Sequence, residues 1–114
     1  MARIANTAKD NYAHLIEYTG GALTAVDDWM EVAAHSDGYT FAATVTNAGN
    51  FTLALECGFN GSWFTIDTSK TINSNGQYVY FYDGKVATKV RMRVASISSG
   101  TPSIVPHITV AYHG

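Results

Sequence analysis

The side chains best equipped for chemistry are four histidines, one cysteine and a short acidic cluster, and their spacing limits what they can do. His14, His35, His107 and His113 follow neither a His-Glu-x-x-His nor a His-x-His pattern, and Cys57 lies far from them in sequence. Metal-site spacing is therefore absent, and no metal or other cofactor is expected. Asp27 and Asp28, with Glu31 nearby, offer oxygen atoms of the kind calcium prefers. Adjacent residues of a strand point to opposite faces, however, and the Asp-x-Asp-x-Asp-Gly loop that wraps a calcium ion is missing. There is no Gly-x-Ser-x-Gly elbow, no phosphate-cradling glycine loop and no pair of carboxylates flanked by aromatics. Acyl transfer, phosphoryl transfer and glycoside hydrolysis thus lack their minimum parts, and no enzyme is expected. Cys57 has no partner for an internal disulfide and reads as a small buried apolar side chain.

Aromatic residues supply the other chemistry. Trp29, Trp63, Tyr78, Tyr80 and Tyr82 would make a stacking platform for a sugar ring. The three tyrosines fall on one face of one strand, where such side chains equally serve cross-strand packing or a contact between subunits. Packing or an interface is the preferred reading, with a glycan as the alternative ligand.

A chain of 114 residues fits one domain. Its charged fraction is 14%, against about 25% in average composition. Water-facing positions must be filled by Thr, Ser, Asn, Gly, Ala and Tyr, and a surface so weakly charged is poorly defended against association. Much of it is expected to be covered in a homo-oligomer or larger assembly. The net charge is −2 and the seven Lys and Arg are scattered, so no cationic stripe exists for nucleic acid. Residues 1–7 lack the apolar core of a secretory signal, and no run approaches the about 18 apolar residues of a membrane span.

The elements that must position these residues are strands. Phe41, Ala43 and Val45 alternate with Thr40, Thr44 and Thr46, and Phe51, Leu53, Leu55 and Cys57 alternate with Thr52, Ala54 and Glu56. With Asn47-Ala48-Gly49-Asn50 between them, the two runs are predicted to pair as a hairpin. Asn60-Gly61 predicts a second reversal before Trp63-Phe64, and Asn73-Ser74-Asn75-Gly76 a third. Gln77 to Tyr82 is β-branched and aromatic throughout and is expected to have both faces at least partly covered. Val90, Met92 and Val94 point inward while Lys89, Arg91 and Arg93 point out. Ile104 to Tyr112 forms a closing strand in which Pro106 predicts an edge or a bulge. Towards the N-terminus, Ile4, Ala8, Tyr12, Leu15 and Ile16 fall near helical spacing, leaving a short helix and an extended arm equally open before Gly20-Gly21. The fold expected is an all-β antiparallel β-sandwich, jelly-roll or immunoglobulin-like, over residues 21–114, with an arm or helix over residues 1–20.

Between Leu53 and Ser98, about forty per cent of the chain, the residues Leu55 to Ile66, Ile72 to Tyr78 and Val90-Arg91-Met92-Arg93-Val94 follow one order. A strand, an Asn-Gly turn, a Trp, a short strand, a Gly-Gln-Tyr strand and an Arg-rich strand succeed one another. This order resembles small β-sandwich virion structural proteins of tailed bacteriophages. Discoidin-like carbohydrate-binding modules share the turn, the Trp and the basic strand, but this chain has no cysteine pair and is shorter than a typical discoidin module. The phage resemblance implies a capsid decoration or cement protein, or a tail or fibre component, made in the host cytoplasm and located in the virion. Its partners would be the major capsid protein or other virion proteins, bound by a homo-oligomer with a trimer expected. Ile4, Tyr12 and Leu15 of the arm, together with Trp29, Trp63, Tyr78, Tyr80 and Tyr82, are the expected interaction residues.

Overall fold

The structure is a computed structural model that describes residues 13–33, 38–83 and 87–113. The described residues form nine strands: β1 (Ala13–Thr19), β2 (Trp29–Ala33), β3 (Gly38–Thr46), β4 (Asn50–Phe59), β5 (Ser62–Thr65), β6 (Lys70–Ile72), β7 (Gly76–Asp83), β8 (Lys89–Ser99) and β9 (Ser103–His113). They make two antiparallel sheets, one in the order β1-β9-β3-β7 and one in the order β2-β8-β4-β5, with β6 alongside β5 on the same edge of β4. Apart from the β4-β5-β6 run, each step along the chain passes from one sheet to the other. That ordering is a jelly-roll, which decides between the two sandwich types expected.

The inward faces are those the alternation predicts. Phe41, Ala43 and Val45 of β3 and Ile104, Ile108 and Val110 of β9 meet Phe51, Leu53 and Leu55 of β4 and Val90, Met92 and Val94 of β8, all of them buried. Each such side chain withdrawn from water contributes about 1.5–3 kcal/mol, which makes this inner layer the main source of stability.

The expected β3–β4 hairpin does not form. β3 pairs with β9 and β7, β4 pairs with β8, β5 and β6, and residues 47–49 arch from one sheet to the other. Both runs carry fully apolar inward faces, and facing each other across the core lets each bury the other, whereas side by side both would depend on other strands to cover them. Residues 47–49 have the turn chemistry their sequence predicts, but it serves an arch: Asn47 and Gly49 both have positive φ, 52° and 56°. The arch lies against the β8–β9 connection, where a Cβ on Gly49 would strike the Ser99 carbonyl and one on Gly100 would lie 2.8 Å from the Gly49 Cα. Asn75 secures the arch from the third turn by accepting a hydrogen bond from the Ala48 N–H at 2.9 Å. The Asn60-Gly61 reversal is a true two-residue hairpin, with φ of 51° and 82° and Gly58 opposite Trp63.

Two further expectations change. Residues 13–19 are a strand, neither helix nor free arm. Ile16 and Tyr18 turn to the core while Leu15, Glu17 and Thr19 face out, and the strand pairs with β9 from His107↔Thr19 to His113↔Ala13. The sandwich therefore includes residues the division at residue 20 assigned to the arm, and Ile4 and Tyr12 lie outside the described residues. Pro106 lies within β9, between β1 and β3, and not on an edge. Its carbonyl accepts the Gly20 N–H at 3.0 Å, on the side where β1 has just ended. A strand residue directs its N–H and C=O to the same side, so the missing proline donor falls where β1 leaves the ladder and the β3 pairing is untouched.

Replacing Gly49 by alanine is expected to cost at least about 2 kcal/mol, from a left-handed backbone plus a clash with main-chain atoms. The same change at Gly61, where the added methyl group meets open space, is expected to cost about 1 kcal/mol. Urea midpoints of the two variants measure the difference.

Candidate interaction surfaces

Each sheet leaves one face outside the core, and the two outer faces have opposite chemistry. On the β2-β8-β4-β5 sheet, register sets Glu31 beside Arg91 and Arg91 beside Glu56, with Trp29 beside Arg93 in the next row and Trp63 beyond Gly58 on the other side. Glu56 was expected to face water. It points outward yet is 5% exposed, because the side chains around it close over it. Arg91 donates through Nε to Glu56 Oε1 at 2.6 Å, and Arg93 donates through Nε at 3.1 Å and through Nη2 to Oε2 at 3.2 Å. Burial pushes the Glu56 carboxyl up, but the two guanidinium groups outweigh it and hold the group below its ordinary value. The Arg91 guanidinium lies 4.1 Å from the Trp63 ring centre and 5.7 Å from that of Trp29, and the Lys89 ammonium lies 4.7 Å from Trp63. Both indoles are thus already stacked on the protein's own cations, Trp29 while 53% exposed.

The acidic cluster is likewise occupied. Asp28 Oδ2 accepts from the Thr24 and Ala25 N–H groups, closing the turn before β2, and these two bonds hold its carboxyl below the usual range. Asp27 accepts from Arg93 Nη1 at 2.9 Å, and Glu31 lies 3.9 Å from Lys89. The three carboxylates expected near one another point to different partners. Among the described residues no three His, Cys, Asp or Glu side chains converge on a point.

The outer face of the β1-β9-β3-β7 sheet carries almost no charge. Its rows read Phe81, Thr40, Thr109 and Glu17; then Val79, Ala42, His107 and Thr19; then Gln77, Thr44 and Val105. Leu15 is 66% exposed, Val79 50% and Phe81 71%. His107 spans three strands, with Nδ1 3.0 Å from Thr19 Oγ1 and Nε2 3.5 Å from Thr44 Oγ1. A shallow depression of about 420 Å³ lies between His107, Ala42, Thr44 and Val79.

The β7 tyrosines are not on this face, and the packing reading preferred for them fits where they lie, whereas the alternative sugar platform does not. Tyr78, Tyr80 and Tyr82 turn inward and pack half-buried against the core, Tyr82 against Tyr39 and Phe41 at 6.2 and 5.9 Å between ring centres. Tyr78 donates its hydroxyl to the Ser74 carbonyl at 2.6 Å, and Lys70 lies over the Tyr80 ring. Burial raises Tyr39 to about 12 and also pushes up Tyr80 and Tyr82, so none of these phenols ionises near neutrality. β7 was expected to be covered on both faces, but it is an edge strand whose outer face, Val79 and Phe81, meets water. Cys57 is buried, and burial raises its thiol, which keeps it protonated. His14 and His113 sit on β1 and β9, and His35 lies outside the described residues. Of the expected interaction residues, Leu15 is on the uncharged face and Trp29 and Trp63 are on the charged one. No single surface collects them.

No protein-family model matches the chain, and no curated protein matches it. Among solved structures, a chain from Bacillus endospore appendages, described as disulfide-linked pili, is similar over 94% of this chain and 96% of its own length, with 10% identity and a TM-score of 0.46. A chain of infectious bursal disease virus, Gx strain, is similar over 92% of this chain, with 14% identity and a TM-score of 0.40, and this chain spans 30% of its length.

Glu56→Gln is expected to destabilise the protein by about 2–3 kcal/mol at neutral pH, because two partly buried guanidinium groups lose their counter-charge. A carboxyl held low in the folded state must take up a proton when the chain unfolds in acid, so its contribution exists above the unfolded value of 4.5 and fades as pH falls below it. Chemical denaturation at pH 7 and pH 3 should show the gap between wild type and E56Q narrowing in acid.

Proposed function

We propose that this chain is a structural component of a multi-copy assembly, in particular a virion protein that decorates a bacteriophage capsid and docks through the outer face of the β1-β9-β3-β7 sheet. The observation that carries this reading is that face: its three middle rows hold one carboxylate, Glu17, the row of Leu15 ends at Asp83 on β7, and Leu15, Val79 and Phe81 are exposed. Isolated exposed apolar residues are ordinary, but three on a sheet face whose other members are mostly Thr, Ala, Val, Gln and His give a surface that loses little by desolvation. Docking to a repeating lattice needs no deep pocket, since many weak copies add through avidity. On the opposite sheet the outward charges are paired with one another, Glu56 with Arg91 and Arg93 and Glu31 with Lys89, which leaves that side suited to face solvent. In the tail or fibre alternative the same face would meet a tail subunit.

Carbohydrate binding is the weaker reading. A sugar ring needs a free aromatic face, whereas Trp63 is covered by Arg91 and Lys89 and the β7 tyrosines point into the protein.

Co-sedimentation with expanded empty capsids tests the proposal. Wild type should pellet with them, and Ala42→Glu, which sets a charge at the centre of the uncharged face, should weaken binding by about tenfold or more. If A42E pellets like wild type, docking through this face is wrong. Tryptophan emission should stay flat across a glycan panel, and a saturable shift would favour the carbohydrate reading instead.

A further inference from the structure

The four edges of the two sheets are built differently. β1 carries Glu17 at its centre, β2 is five residues long with Glu31 in its middle, and the far edge of that sheet is divided between the four residues of β5 and the three of β6, which begins at Lys70. Short strands and charged side chains are the usual means by which a sheet refuses another strand. β7 is eight residues long and its one charged residue, Asp83, is its last: from Gly76 to Tyr82 it reads Gly-Gln-Tyr-Val-Tyr-Phe-Tyr, without charge or proline, and among the described strands it pairs only with β3.

We propose that β7 is a seam at which a second copy of this chain adds, antiparallel, about a two-fold axis perpendicular to the sheet, so that two four-stranded sheets become one of eight. This rests on the assembly reading and names one of its contacts.

Symmetry and parity restrict the register. Residues opposite one another must point to the same side, so strand positions in the two copies sum to an even number. Centring on Tyr80 sets Val79 against Phe81 of the other copy twice, joining β-branched and aromatic side chains on the outer face, and sets Tyr78 against Tyr82 on the inner face. Centring on Val79 would instead oppose Phe81 to Gln77. Like-charge repulsion is small at this seam, because this register sets Asp83 opposite Gln77 and not opposite its own copy, and Lys70, over Tyr80, is neutralised by Asp67 at 3.1 Å. Self-pairing suits this strand because its apolar residues meet their own kind under the two-fold, as an isologous contact requires. Seven paired residues, 77–83 with Gln77 opposite Asp83 at either end, span about 24 Å, and across the 22 Å thickness of the molecule the seam covers about 500 Å² per copy, short of the about 800 Å² of a stable independent dimer. The pair should therefore form and dissociate with concentration and be held by a lattice.

Sedimentation velocity of the full chain between about 5 and 500 µM is the test. The mass should rise from 12.3 kDa towards twice that value. Phe81→Lys should move the midpoint upward by about tenfold or more, with Val79→Lys as a second variant, while Val26→Lys, the same change at an exposed apolar residue away from β7, should leave it in place. Far-UV circular dichroism shows that each variant is folded. A mixture of V79C and F81C chains treated with a short bis-maleimide should give a cross-linked pair, the buried Cys57 being protected. A wild type that stays monomeric throughout, or F81K that behaves like V26K, overturns the seam and leaves the edge to a strand of another protein. If a strictly monomeric chain still pellets with capsids, the seam alone is wrong, and if a pairing chain ignores capsids, the decoration reading alone is wrong.

Discussion

The structure depends on one constraint: two apolar strand faces that follow one another directly in the chain, Phe41–Val45 and Phe51–Leu55, must both leave water. A hairpin would place them side by side in one sheet and oblige some other element to cover them. An arch between opposing sheets lets each cover the other. Once β3 and β4 lie in different sheets, the remaining connections repeat the crossing. The tight contact of residues 47–49 with the β8–β9 turn, admitted by Gly49 and Gly100, closes that end of the sandwich.

Because one face of each long strand is used in this way, the chemistry of the molecule is left to the other. The two outer faces handle polarity differently. On β2, β4 and β8 the charges are gathered into a network in which Glu56 binds both Arg91 and Arg93, with Asp27 also on Arg93, and the tryptophans lie on the cations. A network of this kind is satisfied internally and gains little from a partner, since any new contact must first replace bonds already made. On β1, β9, β3 and β7 threonine, alanine and a histidine held between two threonines take the outward positions, and contact costs little desolvation there.

Edge position adds a second asymmetry. Strands that carry Glu17, Glu31 or Lys70 are short or charged where another strand would join, while β7, charged only at its last residue, lies at an edge among the described strands with its inner tyrosines packed on Tyr39 and Phe41 and bonded to Ser74.

Period-two alternation by itself determined which side chains are in the core: Phe41, Val45, Phe51, Leu53, Leu55, Val90, Met92, Val94, Ile104 and Ile108 are buried as their spacing requires, and Asn60-Gly61 is the reversal its dipeptide specifies. These are properties of a residue and its immediate neighbours, so they can be read locally. Alternation does not say which strands are neighbours, and there the sequence was silent or misleading. Asn47-Gly49 has the same turn chemistry whether it closes a hairpin or an arch. The helical spacing of residues 4–16 includes Leu15 and Ile16, which belong to a strand because β9 supplies a ladder. Three cations alternating on β8 hinted at a carboxylate partner, but only the β4–β8 register shows that it is Glu56. The interaction surfaces were the least legible part, since the same β-branched and aromatic run describes a central strand or an edge. Only the packed sheet assigns Tyr78, Tyr80 and Tyr82 to the core and Val79 and Phe81 to water, because exposure is decided by which strands are absent from a residue's side, and that is a property of the whole fold.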